Sequence, residues 1–273
     1  ILSSLYQEHT GRYFNHNVHS VRVLDDMVNW NISLQTLDGI LCHNGELELK
    51  EYRPCEMSTF VEYDKKVEAC YVDEKAIGEL IPCTLEGCVM RICDIIAYLG
   101  KDRQDAMRLN LLKESPFTAG AIGTTNGEII NNFSVNIIEN SYGKDYLKMD
   151  EEYFDALRQA KKENYEMIYN NKSLNDLYEN EIRPMFGELY EELLRQAESG
   201  DKSSVFYRHH MAYMEKNNFY VKSHVRKPYA EQEKNQLVVD YLASMTDDYF
   251  IALYHYLFPK GKHDVKFVGY FDL

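Results

Sequence analysis

Apolar residues recur every three or four positions along most of this chain, a rhythm that fits one face of an α-helix and not the strict alternation of a strand. From Asn15 to Trp30, Val18, Val21, Leu24 and Met27 return at spacings of three and form one apolar stripe. Residues 56–72 repeat the pattern with Phe60, Tyr63, Val67 and Cys70. Thr84 is placed to cap a helix from Leu85 to about Leu99, with Val89, Ile92, Ile96 and Leu99 as its buried stripe. Gly100 fits a helix C-cap, but 102–112 again reads as helical, so the two stretches form either one continuous helix or a kinked one.

The segment 119–127, Ala-Gly-Ala-Ile-Gly-Thr-Thr-Asn-Gly, is the clearest loop. Helices are expected over 128–141, 149–169 and 173–198, the last interrupted near Pro184. An exposed connection at 199–204 follows, and a final long helix runs from Glu231 to Leu257 before Pro259. The tail from Val265 to Phe271 suits a short strand or a packed extension. Without a βα rhythm or a repeat, the class is all-α, with minor β at most. A length of 273 residues makes one domain over 1–273 the economical expectation.

Charge narrows the partners. With 44 acidic and 30 basic side chains the formal net charge is -14, a surface that repels the backbone of nucleic acid. An anionic ligand must then be met by local basic groups or a metal. No apolar run approaches the roughly 18 residues of a membrane-spanning helix. The composition suits a soluble, cytoplasmic protein. The start, Ile-Leu-Ser-Ser-Leu-Tyr, reads as the middle of a helix, so upstream residues are expected. All six cysteines fall between Cys42 and Cys93 without a CxxC pair, which reads as reduced core thiols rather than a zinc knuckle.

Asp94, Tyr98 and Asp102 stand at i, i+4 and i+8 and share one face of the 85–112 helix. Asp94 lies in the apolar run Val-Met-Arg-Ile-Cys-Asp-Ile-Ile-Ala-Tyr, where a carboxylate needs a cation or several donors, and a metal ion meets that need. Spacing alone favours a helix with two capped or paired aspartates and a core tyrosine.

The stretch Leu85-Glu-Gly-Cys-Val-Met-Arg-Ile-Cys-Asp-Ile-Ile-Ala-Tyr-Leu-Gly-Lys-Asp102 resembles the last metal-binding motif, L-E-G-x-V-x-x-x-A-D-x-I-A-Y-x-x-x-D, of dGTPase-like proteins of the HD superfamily. Three further stretches match in order. Phe14-Asn-His-Asn-Val-His-Ser-Val-Arg22 resembles F-x-H-N-x-x-S-x-R, with Leu37-Asp-Gly-Ile-Leu-Cys-His43 as its continuation. Residues 122–141 resemble the family's glycine turn and following helix, and Asp240-Tyr-Leu-Ala-Ser-Met-Thr-Asp-Asp-Tyr249 resembles D-Y-I-A-G-M-T-D-x-Y. The likeness runs from about residue 14 to about residue 258. It implies an HD-domain-like helical bundle with additional C-terminal helices.

By that resemblance Asp94 is the final ligand of an H…HD…D site for a divalent ion (Mn, Mg, Fe, Ni or Co), Tyr98 packs on the deoxyribose, and Asp102 binds the 3′-hydroxyl. His16 faces the triphosphate as an acid–base or hydrogen-bonding group, with Asn17 beside it as the adjacent amide; a surface or capping histidine is the alternative. Lys161 and Tyr169 stand where related proteins carry a phosphate-binding basic residue and a nucleotide-touching tyrosine; a core tyrosine with a solvated lysine is the alternative. Arg22 is expected to pair with an acidic neighbour. His209 and His210 are adjacent, point about 100° apart and do not share an ion. The first metal His, the His-Asp pair and the catalytic His and Glu that follow them in the family are missing from the matched stretches. His263-Asp264 is the one His-Asp dipeptide, and it stands in a polar loop.

The resemblance implies hydrolysis of a deoxynucleoside triphosphate to deoxynucleoside and triphosphate, with this chain supplying part of the site and inactive alone. It also implies a homo-oligomer. The alternative is a degenerate HD domain acting as a nucleotide-binding or regulatory subunit.

Overall fold

Short polar side chains set most of the helix starts. In the computed structural model, which describes residues 1–28, 30–43, 48–112, 117–217 and 228–265, twelve α-helices appear in order. They are α1 (Leu2–Thr10), α2 (His16–Arg22), α3 (Leu34–Leu41), α4 (Phe60–Val72), α5 (Leu85–Arg108) and α6 (Asn126–Ser141). Then come α7 (Glu151–Asn164), α8 (Lys172–Leu177), α9 (Arg183–Ser199), α10 (Ala212–Asn217), α11 (Lys234–Ala243) and α12 (Asp247–Leu257). Asn15, Ser33, Thr84 and Thr246 each accept a hydrogen bond from the first turn they precede. Thr59 with Glu62, and Thr125 with Glu128, form complete capping boxes. The all-α expectation holds.

Four π-helical turns extend or link these helices: Val23–Met27 after α2, Tyr165–Tyr169 after α7, Tyr178–Ile182 before α9 and Tyr207–Met211 before α10. Each adds a residue to its turn and re-aims the side chains that follow. The only strands among the described residues are β1 (Glu51–Tyr52) and β2 (Leu147–Lys148), antiparallel, with Tyr52 opposite Leu147. This minor β stands mid-chain; the tail from Lys266 onward, where it was expected, lies outside the described residues.

The chain gathers into two compact units, Ile1–Asn31 with Asp176–Leu273, and Ile32–Asn175. In the second, α5 is the central helix and packs on α3, α6 and α7. Ile92, Ile95, Ile96 and Leu99 of α5 join Ile129 and Phe133 of α6 and Leu157 of α7 in its core. Ile95, not Val89, completes the α5 stripe: Val89 lies about 70° from its centre at 100° per residue and is 44% exposed. Residue 100 is not a helix end, because α5 runs through it. A Cβ at Gly100 would stand 2.6 Å from the Asn126 Cα, so glycine there admits the start of α6.

In the first unit α9 and α11 pack together with α1. Leu189, Tyr190, Leu193, Leu237, Val238 and Val239 are fully buried there. Pro184 sits in the first turn of α9, where its missing N–H is tolerated. The single helix expected over 231–257 is two, broken at 244–246. Thr246 caps α12 through the Tyr249 N–H, and that bond displaces helix continuation.

Candidate functional site

The face of α5 a quarter-turn from its apolar stripe carries Asp94, Tyr98 and Asp102, each half-buried. The sequence suggested a deeply buried Asp94; at the edge of the stripe it keeps access to solvent. Tyr98 packs its ring against the core cluster of the second unit. The Tyr169 hydroxyl, from the π-helical turn after α7, donates to Asp102 Oδ2. Tyr165 meets Tyr169 edge-on at 5.3 Å. The structure thus brings Asp102 and Tyr169 together, although 67 residues separate them.

Burial pushes the Asp102 carboxyl above its ordinary range, and nearby Asp105 adds to this, while the Tyr169 hydrogen bond favours the anion. Burial also raises the Tyr169 phenol, and the Asp102 carboxylate raises it further. Tyr169 therefore stays a hydrogen-bond donor. Lys161, two helical turns before Tyr169, is mostly buried and forms an ion pair with Glu48.

His16 and Asn17 belong to the first unit. His16 is exposed at the first position of α2, and Asn17 beside it is fully buried. Arg22, from the same motif, pairs with an acidic neighbour as expected. Its Nε and Nη2 donate to Asp240 at 2.7 and 2.6 Å. Asp240 is fully buried and also accepts from Gln236 at 2.9 Å and from the Tyr229 hydroxyl at 2.9 Å. The first and fourth motifs therefore meet in one buried ion pair that serves the fold. In the continuation of the first motif Asp38, also fully buried, accepts from Lys66 Nζ at 2.7 Å and the Cys83 N–H at 2.6 Å.

Arg103 and its partners Glu163 and Asn164 were not singled out by the sequence reading. All three are buried and join α5 to α7 next to Asp102. The available signal was position: Arg103 stands at i+4 from Leu99 and i+7 from Ile96, on the buried stripe. His209 and His210 take different partners, Tyr249 at 2.7 Å and Tyr229 at 2.7 Å, so they do not converge. His263 Nδ1 lies 3.2 Å from Glu181. All six cysteines are free thiols; Cys42, Cys70 and Cys88 are core residues, but Cys93 is exposed on α5.

Among the described residues no three His, Cys, Asp or Glu side chains converge into a group able to hold a metal ion. Asp94 alone does not make such a site. No helix of the described residues is long and apolar enough to cross a membrane.

Residues 147–256 match the family model described as phosphohydrolase-associated domain. The chain is 25% identical over 260 residues to a deoxyguanosinetriphosphate triphosphohydrolase-like protein of Clostridium tetani, covering 90% of this chain and 60% of that one. It is 27% identical over 181 residues to one of Caldanaerobacter subterraneus, covering 65% of this chain and 47% of the relative. A third, of Clostridium perfringens, is 26% identical over 249 residues, or 86% of this chain and 58% of its own. The chain thus spans between 47% and 60% of the length of these curated relatives. No solved structure matches it. The domain over residues 147–256 and relatives covering up to 90% of the chain bear out the motif resemblance: this chain is a distant relative of the deoxyguanosinetriphosphate triphosphohydrolase-like proteins.

Proposed function

We propose that the protein takes part in hydrolysis of a deoxynucleoside triphosphate to deoxynucleoside and triphosphate, and that this chain supplies the wall that holds the sugar. The observation that carries this reading is the Tyr169–Asp102 hydrogen bond beside Tyr98 on an open helix face. Asp102 would accept a hydrogen bond from the 3′-hydroxyl. Tyr169, with its phenol kept protonated, would hold the carboxylate in place and touch the nucleotide. Tyr98, braced by the core, would lie against C2′, where a ribose hydroxyl clashes. Lys161 would reach a phosphate by exchanging Glu48 for it. On the family likeness alone, His16 of the first unit would act as an acid–base or hydrogen-bonding group for a triphosphate, with Asn17 as the adjacent substrate-binding amide. The divalent ion that the motif resemblance implies has one recognisable ligand here, Asp94, and the described residues do not complete its site. The same reading puts the protein in the cytoplasm as a homo-oligomer.

Calorimetric titration with dGTP and GTP tests it. The protein should prefer the deoxynucleotide, and Tyr98→Ala should narrow that preference by about 10- to 100-fold, the range for a clash of one small group. An unchanged preference in a folded Tyr98→Ala protein removes the assigned role. Release of inorganic triphosphate, read by ion chromatography, separates an enzyme from a nucleotide-binding regulator.

A further inference from the structure

Asp102 and Tyr169 come from different helices, and a hydrogen bond between them needs α5 and α7 to be locked in both register and rotation. Arg103, adjacent to Asp102, is 3% exposed. Its Nε donates to Asn164 Oδ1 at 2.8 Å. Its Nη2 reaches the Ala160 carbonyl at 3.3 Å and Glu163 Oε2 at 3.2 Å. The Phe117 ring centroid lies 4.0 Å from the guanidinium carbon. Asn164 closes the circuit by donating its Nδ2 to the Leu99 carbonyl at 3.0 Å. Glu163 is held from outside by the Thr118 N–H at 3.2 Å and by Gln159 at 3.0 Å.

The π-helical turn that carries Tyr169 begins at Tyr165, directly after Asn164. A π-helical turn shifts the angular phase of every side chain beyond it, so the place where it starts decides where Tyr169 points. Only a planar fork of donors satisfies three acceptors spread over one helical turn of α7; an ammonium on a flexible stem does not hold that geometry. We propose that Arg103 is the positioning residue of the site, clamping the end of α7 to α5 so that the π-helical turn starts at Tyr165 and Tyr169 meets Asp102. The purpose of that pair rests on the reading above, whereas the clamp itself does not.

The test uses the 273-residue chain with 3-fluorotyrosine placed at position 169 and followed by 19F NMR. In the parent, Asp102→Asn should shift the 169 resonance, because it replaces the carboxylate that accepts the hydroxyl. In Arg103→Met the same change should leave the resonance where it was. A helical Arg103→Met protein whose resonance still answers Asp102→Asn as the parent's does overturns the proposal. Should Arg103→Met fail to fold, Asn164→Ala keeps the Arg103–Glu163 pair, removes the Arg103–Asn164 bond and the link to Leu99, and is read by the same two outcomes. Titration of the same samples with dGTP is expected to show about tenfold weaker binding without the clamp, the equivalent of one hydrogen bond. A parent that binds no dGTP sinks the functional reading and leaves the NMR result to decide the clamp.

Discussion

A buried charge is tolerable only where the chain has built its partners, and Asp240 shows how completely that is done. Burial raises its carboxyl, but the Arg22 hydrogen bonds and charge outweigh this and hold it below the usual carboxylate range. His210, one residue group away, shows the opposite case. Its Nε2 bonds the Tyr229 hydroxyl that in turn donates to Asp240, and its ring stacks on Tyr241 at 4.9 Å. Burial lowers its pKa to about 4 against the pull of Asp240, so the ring is neutral in the folded protein. An unfolded chain protonates the same ring near pH 6.5. Between those values the unfolded state binds the proton that the folded state refuses, so stability falls as pH falls through that window. Urea unfolding at pH 7 and pH 5 should differ by about 2 kcal/mol on account of this group, and His210→Gln, which keeps a donor toward Tyr229, should remove that difference. An equal pH dependence in both proteins refutes a neutral, buried His210. Asp240 does not confuse the reading, since a carboxylate held low loses its contribution only below about pH 4.

At the scale of elements, α5 was the most legible part of the molecule; Val89 was misplaced on its stripe, and Gly100, which left the helix either continuous or kinked, is the instructive residue. A glycine after an apolar stripe signals a C-cap and a glycine inside a helix signals close packing; local sequence does not separate the two. Only the arrival of Asn126, 26 positions along, shows that Gly100 is the second kind. Gly100→Ala should therefore cost about 1–3 kcal/mol through overpacking against α6. Gly187→Ala, in α9 with nothing within 4 Å of the added carbon, should stabilise by up to about 1 kcal/mol through helix propensity. Thermal unfolding reads both, and equal signs would mean that packing at Gly100 relaxes without strain. The break between α11 and α12 was hidden for a related reason. Apolar residues on both sides of 244–246 keep a helical rhythm, and the capping role of Thr246 shows only in the geometry of its hydroxyl. The π-helical turns leave no propensity signature, so family likeness assigned Tyr169 and Asp102 separate roles at the nucleotide and nothing in the sequence foretold their hydrogen bond. The Arg22–Asp240 pair spans 218 residues, a separation at which neither periodicity nor spacing carries information.

For the molecule as a whole, the open question is what completes the surroundings of Asp94. A net charge of -14 attracts divalent cations to many surface carboxylates, so loose metal association by itself says nothing about a site. A specific site is different, because an ion bound only by the folded state raises stability by about 2.7 kcal/mol at a hundred times its dissociation constant. With Asp94 as the one recognisable ligand and no converging set of three donors among the described residues, the 273-residue chain should show no such gain. Its melting temperature in Mn2+ at about a millimolar should match that in chelator, once ionic strength is equalised, and Asp94→Asn should leave both values unchanged. A rise of several degrees that Asp94→Asn abolishes would mean that the chain gathers its own ligand set, and would make it a self-sufficient metal centre. A rise that survives Asp94→Asn would place the ion on the acidic surface instead. The cluster on α5 and the turn after α7, proposed above to hold the sugar, is in either case ordered by protein groups alone, since Tyr98 packs on the core and Tyr169 is held on Asp102. Nucleotide selectivity and metal binding are therefore expected to separate experimentally, the first lost with Tyr98 or Arg103, the second governed by Asp94 and whatever joins it.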